Sequence, residues 1–217
     1  MSLRLAGPIA AAAIVVIVAM ASLRSMAGQA PGPRTLDTKT PITYFIADGT
    51  GEVGYRSSDR QLAAWAFEAW DRSAQNQFRF QPATEEAAVV RLYWAEANEG
   101  QYGEMRPLLV GGRRGAAVYI RPDVDSLGDD IARRARADAL LRDTIVYLTC
   151  VHELGHAVGL VHTSDFRDIM YYFGFGGDIV EFFERYRRQL RGRNDIAMFA
   201  GVSDTDVAKL RAIYGIR

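Results

Sequence analysis

Residues 152–162, which read H-E-L-G-H-A-V-G-L-V-H, constrain this chain more than any other feature. His152 and His156 are four apart, so on a helix both imidazoles project from one face and can hold the same ion. Glu153, next in line, points toward the side where a metal-bound water would sit. Gly159 permits a sharp turn, through a positive φ where needed, that ends the helix. His162 then returns as a third nitrogen ligand. Three protein ligands leave the fourth tetrahedral position to water, which separates a catalytic from a structural zinc site. Zinc suits imidazole donors and a reaction that needs a Lewis acid without redox activity. The chain has 3 histidines in all, and these are they. No background of histidines exists from which the pattern could have been drawn by accident.

At 217 residues, 49% of them hydrophobic, the chain has room for one domain with a real core, which excludes disorder as its dominant state. Lys+Arg and Asp+Glu both total 26, so no overall field argues for nucleic acid as a partner. One cysteine, Cys150, excludes an intramolecular disulfide framework. Within residues 1–27 an uncharged run, Leu5–Leu23, apolar or small apart from Ser22, follows Arg4. Ala19-Met20-Ala21 and Ser25-Met26-Ala27 both offer small residues at signal-peptidase spacing. The run is also nearly long enough to span a bilayer. The segment is therefore read as a signal peptide or as an N-terminal membrane anchor, with residues 5–23 as the tether. Both readings place the remainder outside the cytoplasm. Gly28–Thr40, rich in Pro and Gly without apolar periodicity, is read as a linker, and residues 41–217 as the folded domain.

Within that domain, Ile42–Ala47 reads as a strand and Ser58–Asn76 as a helix, with Leu62, Trp65, Ala66, Ala69 and Trp70 at helical spacing. Phe78–Gln81, Val89–Trp94 and Ala116–Ile120 read as further strands. Asn98–Gly115 reads as a long Gly-rich loop in which Arg106–Val110 forms a short edge strand, the one place Pro107 is tolerable. Gly128–Arg142 reads as a charged helix whose arginines make a solvated face. Strands first and helices later give an α+β class.

The whole pattern from His152 to His162 resembles the metzincin signature, in which a methionine turn lies downstream. Met170, in Asp168-Ile169-Met170-Tyr171, fills that Met-turn position. Its distance from His162 and the Ile-Met-Tyr triplet resemble the matrixin branch. Ser203–Gly215, ending in Tyr-Gly, is similar to the matrixin C-terminal helix. The resemblance covers residues 41–217. It implies a metzincin-type zincin domain: a twisted mixed sheet, an active-site helix, the Met-turn and a C-terminal helix.

Several positions depart from the family pattern. Matrixins usually carry a pro-domain whose cysteine occupies the zinc, and none is expected before residue 41. Cys150, two residues before a ligand, is expected to be a buried, inert thiol. The loop before the edge strand lacks the histidines of a second, structural zinc, so that ion is expected to be absent. Asp123, Asp125, Asp129 and Asp130 cluster and would be the residues to hold calcium, but their spacing misses the EF-hand rule and helix capping accounts for them. Tyr172 stands where matrixins have proline and where astacin-like and serralysin-like enzymes carry an oxyanion-stabilising tyrosine. It takes that role or is a pocket wall with Tyr171, Phe173 and Phe175. Asp178–Arg193 is an extra amphipathic segment, with Ile179, Phe182, Phe183, Tyr186 and Leu190 on one face. It is a core-facing helix, or it borders the cleft or an anionic membrane.

The activity these features imply is that of an exported zinc endopeptidase acting on peptide or protein substrates. His152, His156 and His162 hold the ion, Glu153 moves the proton and Met170 lies as an apolar floor beneath. The alternative is a catalytically silent zinc-binding recognition protein on the same fold, which would be expected to lose Glu153 first. Oligomeric state has no signal in the sequence.

Overall fold

The β-branched and aromatic run after Pro41 forms β1 (Thr43–Ile46), and the helical spacing that follows forms α1 (Asp59–Ser73), which buries Leu62, Ala66, Phe67 and Trp70. The computed structural model describes residues 35–96 and 102–217. Residues 5–23, expected to be a leader or tether, lie outside that range. Among the described residues no helix is long and apolar enough to cross a membrane.

The remaining strands are β2 (Gln81–Pro82), β3 (Val90–Trp94), β4 (Gly103–Val110) and β5 (Arg113–Ile120). They make one five-stranded sheet in the order β2-β1-β3-β5-β4. All neighbours are parallel except β4, which runs antiparallel to β5 along the rim. This mixed sheet with packed helices is the α+β architecture expected.

Three local expectations are corrected. The strand placed at Phe78–Gln81 shrinks to Gln81–Pro82, because Arg79 is left-handed at φ 48 and the Asp71 carboxylate takes the N–H groups of Phe78 and Arg79. The long loop placed over Asn98–Gly115 is mostly a hairpin; residues 97–101 lie outside the described residues. Gly111 and Gly112, at φ 56 and 77, supply the positive dihedrals that a two-residue turn between β4 and β5 demands. The glycines thus mark one tight turn rather than a loose loop, while Pro107 sits on the edge strand as expected.

The helix placed at Gly128–Arg142 is two: α2 (Asp129–Ala137) and the start of α3 (Ala139–Ala157). Asp138 is extended at the junction and accepts from the N–H groups of Leu140 and Leu141 at 2.9 and 3.1 Å. A strong N-cap overrides continuous helical propensity. Arg133, Arg134 and Arg136 are exposed, as a solvated face requires. Arg142 is not; it is buried against Asp59, with further donation to the carbonyls of Gly54 and Pro122.

α4 (Ile179–Arg187) buries Phe182, Phe183 and Tyr186. Arginines on and just after α4 have partners inside the molecule: Arg187 on Asp138, Arg188 on Glu181, Arg193, beyond the helix, on Asp143, and Arg185 stacked over Phe166 and Phe182. The core-facing reading of Asp178–Arg193 holds. α5 (Asp204–Tyr214) starts from a capping box formed by Ser203 and Asp206 and ends at Gly215 in the left-handed region.

The segment read as linker also needs correction at its end. Leu36 is buried in the core, its N–H donates to the Tyr214 hydroxyl at 3.0 Å, and that hydroxyl donates to Val158 O at 3.0 Å. Packing therefore begins ahead of Pro41.

Candidate metal centre

α3 is buried along most of its length, so its register is fixed by packing before any ion is considered. Trp70 on α1 contributes directly: its indole N–H donates to Val151 O at 2.8 Å, one residue before His152. The helix ends at Ala157, and Gly159 is at φ 104, the sharp turn expected there. His162 comes back beside the other two imidazoles.

The second partners of two rings settle their tautomers. His152 Nδ1–H donates to Ile169 O at 2.7 Å, and His156 Nδ1–H donates to Leu160 O at 3.0 Å. A carbonyl only accepts, so Nδ1 carries the proton and Nε2 presents a lone pair. His162 Nε2 lies 3.3 Å from His152 Nε2 and 3.1 Å from His156 Nε2. Nitrogens bound at ~2.0–2.1 Å to one tetrahedral ion stand about 3.3 Å apart. The donor set therefore fits zinc in type and in spacing. Burial first, then the neighbouring imidazoles, pushes His152 down to about 3; burial and then His156 pushes His162 down to about 4. His156 is lowered by burial too. All three are thus neutral, ligand-ready imidazoles at neutral pH.

Glu153 is buried beside them, against the start of β4. A Cβ on Gly103 would fall 2.7 Å from both Cγ and Oε1 of Glu153, so only glycine lets the edge strand come this close. Burial, and then the carboxylate of Glu104, raises Glu153 up to about 8 with no cation counted. A divalent ion at the histidines opposes that shift.

Met170 lies fully buried under the helix. Gly155 makes room for it, since a Cβ there would stand 2.4 Å from Met170 Sδ and 3.1 Å from Trp70 Cζ2. Gly155→Ala therefore loses stability by roughly 1–3 kcal/mol through overpacking, although alanine is the better helix former by ~1 kcal/mol. A thermal melt unchanged or raised would show that the floor yields. Tyr172 stacks its ring on His162, centroids 4.9 Å apart and 25° between planes, with Phe175 edge-on at 5.6 Å.

Sequence reasoning brought His152, Glu153, His156, His162, Met170 and Tyr172 to this place. It missed Gly103 and Glu104, which carry no local signal. Cys150 is buried with its thiol pushed up by burial, as expected of an inert residue. Of the four acids weighed for calcium, three have partners in the protein: Asp125 pairs with Arg136, Asp130 with Arg133 and Arg134, and Asp123 caps the Asp125 N–H. Among the described residues the three histidines are the group whose donors converge for an ion.

A mixed sheet whose edge strand runs beside a helix bearing two histidines, with a third beyond a glycine turn and a methionine beneath, is the arrangement of a metzincin domain. The family model described as matrixin matches residues 36–175, and the chain belongs to the matrixin family. That match starts at Leu36, the first residue of the packed core, and ends before α4 and α5. The chain is also similar to macrophage metalloelastase of Oryctolagus cuniculus, at 29% identity over 143 residues. The aligned part is 65% of this chain and spans 29% of that relative's length. Matrixin membership points to zinc metalloendopeptidase chemistry.

Proposed function

We propose that this chain is an exported zinc endopeptidase whose catalytic unit is the domain of residues 41–217 together with the Leu36 strap. One observation carries the reading: three Nε2 atoms converge within ligand distance of a common ion, with a buried carboxylate on the next residue of the same helix. His152, His156 and His162 would hold zinc. The ion would supply Lewis acidity at the scissile carbonyl and acidify a water toward ~7. Glu153 takes the proton of the attacking water and delivers it to the leaving amine. An extended substrate pairs with the outer edge of β4, the strand-addition mode of peptide recognition, and so passes Glu153 where Gly103 touches it. Phe175, 64% exposed and edge-on to Tyr172, which itself stacks on His162, gives an apolar surface that suits an apolar residue just after the cut. Residues 1–27 serve as signal peptide or membrane anchor.

Tyr172 contributes its hydroxyl to stabilising the oxyanion, its ring held against His162 by stacking. Tyr172→Phe keeps the stack and removes the hydroxyl, and is expected to lower kcat by about an order of magnitude or more. Unchanged kcat would leave Tyr172 as a wall only.

The test of the reading is zinc content and cleavage of a mixed peptide library by the purified chain. One zinc per chain, with cleavage abolished by a chelator and restored by zinc, supports it. Stoichiometric zinc without cleavage of any peptide favours the non-cleaving recognition protein instead.

A further inference from the structure

Ile169, the residue before Met170, is gripped from both sides. Its carbonyl accepts from His152 Nδ1–H at 2.7 Å, and its N–H donates to Asp206 Oδ2 at 2.8 Å. Asp206 is the third residue of α5, and the same oxygen also accepts from the N–H and hydroxyl of Ser203 at 3.0 and 2.9 Å. A capping-box carboxylate at a helix start ordinarily faces water. This one is fully buried, its other oxygen Oδ1 has no hydrogen-bond partner, and the buried carboxylate of Asp168 lies across the Ser203 hydroxyl from it. Such burial costs stability. Capping does not require it, because the Ser203 hydroxyl already accepts from the Asp206 N–H at 3.0 Å. What the buried position does provide is a fixed acceptor for Ile169. The same turn also holds the residue after His162, through Thr163 N–H on Met170 O at 2.8 Å and Tyr172 N–H on Thr163 O at 3.0 Å. His156 is held elsewhere, by Leu160 O.

We propose that Asp206 is a positioning residue for the metal centre: by fixing Ile169 it orients the His152 imidazole, so the cap of the last helix sets the affinity for zinc. This rests on the zinc centre proposed above. The experiment measures the zinc dissociation constant of the full chain by chelator competition, the d–d spectrum of its cobalt(II) form and the melting temperature without metal. Asp206→Ala is expected to weaken zinc by about 10-fold or more and to alter the cobalt spectrum. Ser203→Ala removes a capping hydroxyl but leaves the Asp206–Ile169 bond. It should lower Tm by about 2–4 °C with zinc affinity unchanged. If Asp206→Ala does not fold, Asp206→Asn decides: its weaker amide acceptor should cost about threefold in zinc affinity and speed solvent exchange of His152 Nδ1–H. The proposal is overturned if an Asp206 variant that folds binds zinc and exchanges that proton as the parent does. It is equally overturned if Ser203→Ala and Asp206→Ala weaken zinc to the same extent. A parent that takes up no zinc sinks the metal centre itself, before any variant is compared.

Discussion

Glu153→Ala is expected to lower peptide turnover by about 10²–10⁴-fold while zinc stays bound at one ion per chain. The histidines make no hydrogen bond to Glu153; their second nitrogens are held by Ile169 and Leu160 carbonyls, so the metal site should survive its removal. Glu153→Gln, with the same shape, should be as slow, because an amide cannot shuttle the proton. Without metal, Glu153→Gln should melt no earlier than the parent, because it keeps the shape and removes a carboxyl whose charged form is disfavoured by burial and then by Glu104. Steady-state kinetics with metal analysis checks this. Turnover within about threefold of the parent would remove Glu153 from the proton transfer.

The second large effect lies in the core. Arg142 and Asp59 pair with side chains 3% and 0% exposed, and Asp143, 3.6 Å from the same guanidinium, also accepts from Arg193 at 2.7 Å. Arg142→Ala strands a buried carboxylate and two carbonyls, and is expected to cost about 3–5 kcal/mol. That is a large part of the ~5–15 kcal/mol by which a domain is stable. Changing both partners at once, Arg142→Met with Asp59→Leu, should recover much of the loss, since no charge is then left unpaired. Denaturant melts of the single and double variants make the measurement. Singles costing below about 1 kcal/mol would mean that water reaches the pair and relieves it.

These two sites differ in how far the sequence revealed them. The histidine pattern, the Gly159 turn and Pro107 on an edge were legible because each is a local rule, in which a residue type is tied to a dihedral or a helical face over a few positions. Asp206 carried no reading of its own in the sequence, because its hold on Ile169 is a tertiary contact between positions 37 apart. Arg142 looked like one more arginine of a solvated helix. Its partner is 83 positions away, and nothing in either neighbourhood announces the other. Gly103 belongs to the same kind: its missing side chain has meaning only where Glu153 arrives from another element. The Asn98–Gly115 stretch failed for a different reason, since glycine abundance marks both a loose loop and the tight reversal of a hairpin.

The hydroxyl of Tyr214 receives the Leu36 amide on one side and gives its proton to Val158 on the other. Among the described residues the start of the packed core thereby meets the last helix at the spot where α3, the helix carrying His152 and His156, stops. Gln75 reinforces the closure by holding the carbonyl of Arg217 at 2.9 Å. Topologically the domain is close to a ring. A bridge between Leu36 and α5, with the chain reopened at the Gly111-Gly112 hairpin tip, leaves α3 undisturbed, the arrangement that tolerates circular permutation.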